Sequence, residues 1–310
     1  MKILVVFTGG TIGSAVSDGW IAPSDDMKYL LISKFREKTG DNIHFDAISP
    51  YTVLSENLSS EHLNKLAQCV RDNINGYDGV IVTHGTDTLQ YSAAALAYSV
   101  DCKVPVVLVS SNYPLEDKRA NGLDNFIAAV EFIKTGGSRG VFVSYRNFGE
   151  DTCIHHATKV VAHTENFDEI YSIDKTPCAV YSDKIKINTD CCSESEYKGD
   201  IIFCENPQIL CISAMPGDNF RYDISKCKAV ILRPYHSGTL NTSSEGFIDF
   251  CNRLKSAQIP VFVVNGRDGV TYESAKEYKN LGLTVLPGSP FVAVYMKLWA
   301  EMSWISLKDL

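Results

Sequence analysis

Long apolar runs are missing from this chain. The first run, Ile3 to Phe7, ends directly in a glycine turn and is too short for a signal-peptide core or a membrane span, so no membrane partner is expected. Nor is there a block of five or more Lys or Arg residues, and 29 basic against 37 acidic residues leave a net charge of −8. That balance argues against a surface built to grip nucleic-acid phosphates, and nucleic acid is not an expected partner. The ten cysteines include no CxxC pair. A chain of 310 residues does not need disulfide staples, so its cysteines read as reduced, small apolar side chains, with the adjacent Cys191 and Cys192 an incidental pair. These features together place the expected site of action in the cytoplasm. Low-complexity tracts and internal repeats are also absent, and 45% hydrophobic with 21% charged residues is the composition of an ordinary globule with a sizeable core.

What is present is an alternation of short β-branched runs with longer segments of helical period, the signature of βαβ units around a parallel sheet. Strands are expected at ILVVF from Ile3, IHFDAI from Ile43, GVIVT from Gly79, VPVVLVS from Val104 and GVFVSY from Gly140. Nearly every residue in these runs is apolar, as for strands covered on both faces. Helices are expected at Met27 to Lys38, Ser60 to Ile74, Asp87 to Tyr98 and Asn121 to Lys134, with Ser59 or Ser60 as an N-cap and Gly136 as a stop signal. After Tyr145 the rhythm changes to shorter extended pieces, Thr158 to Val161 and Cys178 to Tyr181, which suggest an antiparallel extension. A polar stretch from Asn188 to Asp200 marks a boundary. Beyond it ILCIS, AVILRPY, PVFVVN and LTVLP resume the alternation. The expected organisation is a large domain over 1–187, a linker over 188–205 and a smaller parallel-sheet α/β domain over 206–310.

In open parallel sheets ligands bind beyond the carboxyl ends of the strands, so the loops that follow strands carry the candidates. The first strand runs into Thr8-Gly9-Gly10-Thr11-Ile12-Gly13, another into Thr83-His84-Gly85-Thr86-Asp87-Thr88, and the next into Ser110-Ser111-Asn112. The glycine loop fits neither a dinucleotide turn, which needs glycine where Thr8 stands, nor a P-loop, which needs a Gly-Lys-Ser/Thr ending. A hydroxyl at Thr11 beside a glycine backbone rich in N–H groups suits acyl transfer, with a nucleophile and donors aimed at the developing oxyanion. Thr86 and Asp87 read either as caps of the following helix or as a cleft-facing pair whose carboxylate binds an ammonium. His84 reads as a packed, hydrogen-bonded loop residue. His155 and His156 are adjacent, so an extended segment points them to opposite faces, and no Cys or Asp spacing completes a metal site. Neither metal nor cofactor is expected.

TGGTIG at Thr8 to Gly13 and THGTDTL at Thr83 to Leu89, in this order and each after a core strand, resemble the bacterial-type L-asparaginases of the cytoplasmic type I kind, which are threonine amidohydrolases. The resemblance spans essentially the whole chain. It implies a large flavodoxin-like N-terminal domain with a parallel or mixed sheet, and a smaller C-terminal α/β domain. It also implies that Thr11 attacks the side-chain amide of L-asparagine, forming a β-aspartyl ester that water then cleaves to aspartate. Thr86, Asp87 and Lys159, the last in HHATKVV, form the implied second catalytic group. Ser55 and Glu56 in Ser55-Glu56-Asn57-Leu58 match the segment that holds the substrate's α-carboxylate and α-ammonium, alongside Thr86, Asp87, Gly10 and Gly85. Read without the resemblance, Lys159 is a solvated lysine at a sheet edge and Ser55-Glu56 a polar lead-in to a helix.

Three departures stand out. Family members commonly carry a tyrosine near Gly19, where this chain has Asp18-Gly19-Trp20-Ile21; indole cannot relay a proton as phenol does, so Trp20 reads as a possible lid. Glu56 replaces a common glutamine, and Arg119-Ala120-Asn121-Gly122 lacks the family's acidic residue. In the second domain, Asn241 in the loop Tyr235 to Asn241 is the candidate to reach a neighbouring subunit's site in a homodimer or homotetramer. Two further functional readings remain. One is a glutaminase-asparaginase or an amidotransferase-like amidase, the latter ranked lower because the chain opens on its first core strand. The other, from a different class, is a non-enzymatic amino-acid binder on the same scaffold.

Overall fold

The computed structural model describes residues 1–17, 20–23, 26–136, 138–161, 167–188, 196–266 and 271–308. It divides into two compact units, Met1–Glu205 and Asn206–Leu310. Among the described residues no helix is long and apolar enough to cross a membrane.

The first unit is built on strands β1 (Lys2–Phe7), β4 (His44–Ile48), β5 (Gly79–Thr83), β6 (Pro105–Val109), β7 (Gly140–Arg146), β8 (Thr152–His156), β9 (Ala179–Tyr181) and β10 (Ile185–Ile187), while β2 (Ser14–Ser17) and β3 (Trp20–Pro23) pair with each other in a separate hairpin. Strand order in the large sheet is β10-β9-β8-β7-β6-β5-β1-β4. Strands β4, β1, β5, β6 and β7 run parallel, and β8, β9 and β10 add an antiparallel extension. The β-branched runs fix this arrangement because β5 and β6 are buried along their whole length. Their alternate side chains feed two separate cores. Ile3, Val5, Ile81 and Val107 pack with Phe35 of α1 (Asp26–Thr39) and Phe126 of α4 (Gly122–Lys134). Leu4, Val6, Val80 and Leu108 pack with Leu66 of α2 (Ser60–Asn73) and Leu96 of α3 (Leu89–Ser99).

The second unit is a parallel sheet in the order β11 (Ile209–Ser213), β12 (Ala229–Arg233), β13 (Val261–Gly266), β14 (Leu283–Pro287), with helices α5 (Glu245–Ser256) and α6 (Phe291–Lys308). The α/β class expected from the sequence is therefore the one observed.

Four local expectations change. Thr158 to Val161 is not a strand: Ala157–Lys159 is a 3-10 turn and Val160 makes a single bridge to Ser172. The strand precedes it, at Thr152–His156, where His155 and His156 pair with Val143 and Phe142 and packing covers both histidines. Helix α3 begins at Leu89 rather than Asp87, with Thr88 at its N-cap. Within the expected linker, Phe203 is buried and exchanges two hydrogen bonds with the Asn64 side chain (2.7 and 3.0 Å), tying that stretch to α2. The reading of every cysteine as a free thiol fails at Cys178, which is disulfide-bonded. It is buried immediately before β9, and its carbonyl accepts the Asn188 N–H at 2.7 Å, which extends the β9–β10 pairing by one step. Cys191 and Cys192 lie outside the described residues. Cys69, Cys102, Cys153, Cys211, Cys227 and Cys251 are free thiols.

Candidate active site

Three loops leave the carboxyl ends of β1, β4 and β5, and glycines let them interlock. Gly9 (φ +112°) forms a parallel bridge with Val53, whose N–H donates to the Thr8 carbonyl at 3.1 Å. A Cβ on Gly9 would overlap the Val53 carbonyl. Gly10 (φ +78°) lies against the His84–Gly85 peptide so closely that a Cβ there would collide with its backbone atoms. A Cβ on Gly85, in turn, would strike the Ser55 side chain and sit 3.4 Å from Gly10 Cα. The Thr8 hydroxyl completes the tie by donating to the Thr83 carbonyl at 2.6 Å. Thr11 and Thr86 each follow one of the two touching glycines, so the contact that needs Gly10 and Gly85 also brings the two threonines to facing loops.

The side chains on these loops are largely polar and range from buried to exposed. Thr11 opens a 3-10 turn over Thr11–Gly13, in which the Gly13 N–H donates to the Gly10 carbonyl at 3.0 Å, and it is half-buried. Thr86 is half-buried and Asp87 exposed. Ser55, 7% exposed, donates its hydroxyl to Asp87 Oδ2 at 3.3 Å, while Glu56 beside it is exposed. One carboxylate thus meets a buried hydroxyl, with a second acidic residue next to that serine in sequence, a suitable setting for a primary ammonium. Gln90 donates to the Asp87 carbonyl at 3.1 Å and Thr88 to the Ser55 carbonyl at 2.9 Å.

His84 supports this cluster from beneath. Its Nδ1 is 2.9 Å from the Gly85 carbonyl, which can only accept, so Nδ1 carries the proton and Nε2 accepts from the Ser92 hydroxyl at 2.8 Å. Burial lowers its pKa to about 4, and the ring is neutral at pH 7. With both nitrogens engaged, the imidazole braces the loop.

The remaining expected residues belong to segments outside the three loops. Lys159 ends the 3-10 turn after β8 and is exposed. Strand β8 runs antiparallel to β7, so at His156 the chain is level with Phe142, Val107 and Ile81 and heading away from the edge that carries Thr83. The turn packs against α3, and among the described residues no salt bridge joins Lys159 to Asp87. Asn241 belongs to the second unit, where it is exposed and its carbonyl accepts the Ser244 N–H. Trp20 starts β3 opposite Ser17; its side chain lies outside the described residues, as do Asp18 and Gly19.

Gly10→Ala should be costly. The new methyl group meets backbone rather than a movable side chain, at a φ that L-residues avoid, so unfolding free energy should fall by about 2–5 kcal/mol. Gly76→Ala, with no positive φ and no atom within 4 Å of the added carbon, is the control. Denaturant titration of the two variants reads the difference.

A mixed α/β sheet with hydroxyl-bearing, glycine-locked loops at the carboxyl ends of its parallel strands is a framework suited to an enzyme site. The N-terminal asparaginase family model matches residues 2–192, and the chain belongs to the asparaginase family, a group of amidohydrolase-type enzymes. A glutamyl-tRNA(Gln) amidotransferase component of Methanococcus vannielii is 29% identical over 339 aligned residues, covering 99% of this chain and 76% of that protein. Among solved structures, the thermostable L-asparaginase from Thermococcus kodakarensis superposes with a TM-score of 0.78 at 22% identity, covering 100% of this chain and 95% of its own. L-asparaginase I from Vibrio cholerae gives 0.79 at 18% identity, with coverage of 99% and 95%. At these identities the two structures share the fold.

Proposed function

We propose that this chain is an amidase that releases ammonia from the side-chain amide of a small amino acid, in the manner of an amidotransferase component. The observation that carries the chemistry is the glycine-locked convergence of the Thr11, Ser55 and Thr86-Asp87 loops. Thr11 Oγ attacks the amide carbon and its proton passes to the leaving nitrogen. Ammonia departs, leaving an ester on Thr11, and water cleaves the ester to the free acid. Thr86 and Asp87 assist the proton transfers, and Ser55, Glu56 and Asp87 hold the substrate's α-carboxylate and α-ammonium against Gly10 and Gly85. These steps draw on the chain's own side chains and water.

The relative aligned over nearly the whole chain bears an amidotransferase name, which moves that reading ahead of the plain asparaginase preferred from the motifs. In it, ammonia passes to an acceptor presented with a partner protein. The second reading is a free L-asparaginase or glutaminase-asparaginase acting as a homodimer or homotetramer, with Asn241 of a neighbouring copy completing each site. The exposed pair Glu56 and Asp87 beside Ser55 favours it, because that trio suits a free amino acid. Both readings share the amide-cleaving step and differ in what takes the ammonia. A coupled ammonia assay on the purified chain, with L-asparagine and L-glutamine across a concentration series, decides between them. Saturable release by the chain alone supports the second reading. Release that depends on a co-purifying protein and an aminoacyl-tRNA acceptor supports the first. No release under either condition, with amino-acid binding retained, leaves the binder.

A further inference from the structure

We infer that Thr88 is a positioning residue, whose hydroxyl fixes the Ser55-Glu56 loop against the Thr86-Asp87 loop and so sets the affinity for substrate. The inference rests on the amidase reading, for which it names the element that aligns the two halves of the binding site.

Thr88 stands at the N-cap of α3, with φ −124° and ψ 17°. A threonine there ordinarily turns its hydroxyl onto a free N–H of the first helical turn, which stabilises the helix. Here the side chain makes no cap hydrogen bond. It points away from its own helix and donates to the Ser55 carbonyl at 2.9 Å. The same carbonyl accepts the Leu58 N–H at 3.1 Å, so both its lone pairs are used and its orientation is fixed. The local benefit of capping is forgone for a bond that joins residues 33 positions apart in sequence.

That bond falls where the loop most needs it. Upstream, the loop is tied to the β1 turn by backbone, through Val53 N–H to the Thr8 carbonyl. At Ser55 the cross-loop bonds are made by side chains: the Thr88 hydroxyl onto its carbonyl, and its own hydroxyl onto Asp87 at 3.3 Å. The Ser55–Asp87 bond is the longer and weaker of the two, and substrate would compete for both of its members. Thr88 therefore holds the loop whether or not Ser55 and Asp87 are occupied, and preorganisation of this kind shows in binding more than in the chemical step.

The test compares Thr88→Val, which keeps the shape and loses the donor, with Thr88→Ser, which keeps the donor, in the full-length protein. KM and kcat for amide hydrolysis and the calorimetric Kd for L-aspartate are measured on each. Thr88→Val should raise KM and Kd about tenfold, the loss of one hydrogen bond, with kcat within about twofold of wild type. Thr88→Ser should match wild type on all three. Unchanged KM and Kd in Thr88→Val, or a loss confined to kcat, overturns the inference. If Thr88→Val does not fold, Thr88→Ala takes its place, and a Thr88→Ser protein that binds as weakly as the alanine variant is equally fatal. A wild-type protein that binds aspartate without releasing ammonia refutes the amidase reading and leaves the Kd comparison to judge Thr88. Absence of binding of both L-aspartate and L-glutamate by wild type refutes both.

Discussion

Thr11→Ala should abolish ammonia release, lowering the rate by about 10⁴-fold or more, as removal of an enzyme's nucleophile does when binding and oxyanion donors remain. The size of the effect follows from the proposed chemistry, in which no bond to the substrate carbon can form without the Thr11 hydroxyl. The change should leave the scaffold intact. Thr11 is half-buried, the residues of its turn that are buried are Ile12 and Gly13, and the loop is held by backbone contacts at Gly9 and Gly10. Aspartate affinity and unfolding midpoint should therefore stay close to wild type, and Thr11→Ser, which keeps a hydroxyl, should retain a measurable rate. Full activity in Thr11→Ala would sink the nucleophile assignment.

Acid should destabilise the first unit well above the pH at which carboxylates protonate. Burial lowers the pKa of His84 and of His155 to about 4, and shifts His156 downward as well. His84 is held by the Gly85 carbonyl and the Ser92 hydroxyl; His155 Nδ1 lies 2.9 Å from the Ser172 hydroxyl, and among the described residues its Nε2 has no partner. Each ring folds neutral, whereas the unfolded chain takes up its proton near 6.5. Because the folded values are depressed for a base, the stabilisation is complete above about pH 6.5 and is lost as pH falls through 6.5 towards 4. For His84 and His155 together the loss at pH 4.5 is about 5 kcal/mol, comparable with the whole stability of many domains. Asp46 and Asp117 titrate below that window, near pH 2, because a lysine and a tyrosine hydrogen-bond to the first and an arginine to the second. Denaturant unfolding at pH 7.5 and 4.5 should show this drop, and His155→Gln should remove about half of it. A flat profile between these pH values would refute the assignment of neutral, buried rings.

The core of the first unit was legible because its strands declare themselves. GVIVT and VPVVLVS are continuous apolar runs bounded by turn residues, and they occupy β5 and β6 within a residue or two. The antiparallel extension was less so. In TCIHH two histidines interrupt the apolar pattern, and only their burial against the sheet reveals a strand. The THGTDTL segment was legible as the loop between a strand and a helix and misread in where that helix starts, since Thr86, Asp87 and Thr88 are all good caps and sequence does not say which hydroxyl turns away. That Gly10 and Gly85 pack against each other's loops was not legible, because the partners come from segments far apart in sequence. The Cys178 disulfide left no trace, because nothing local distinguishes a cysteine that pairs from one that packs.

The interlocked glycines also bear on how such a site can be altered. Each of the three loops serves as a mould for the other two: Val53 shapes the β1 turn, that turn shapes the β5 loop, and the β5 loop receives Ser55. A single loop borrowed from a different scaffold would arrive without its counterparts and clash with the two left behind. Retargeting to a larger or differently charged substrate should therefore begin with exposed side chains such as Glu56, which can change without recasting the mould. Moving the chemistry to another sheet would require transplanting all three loops as one piece.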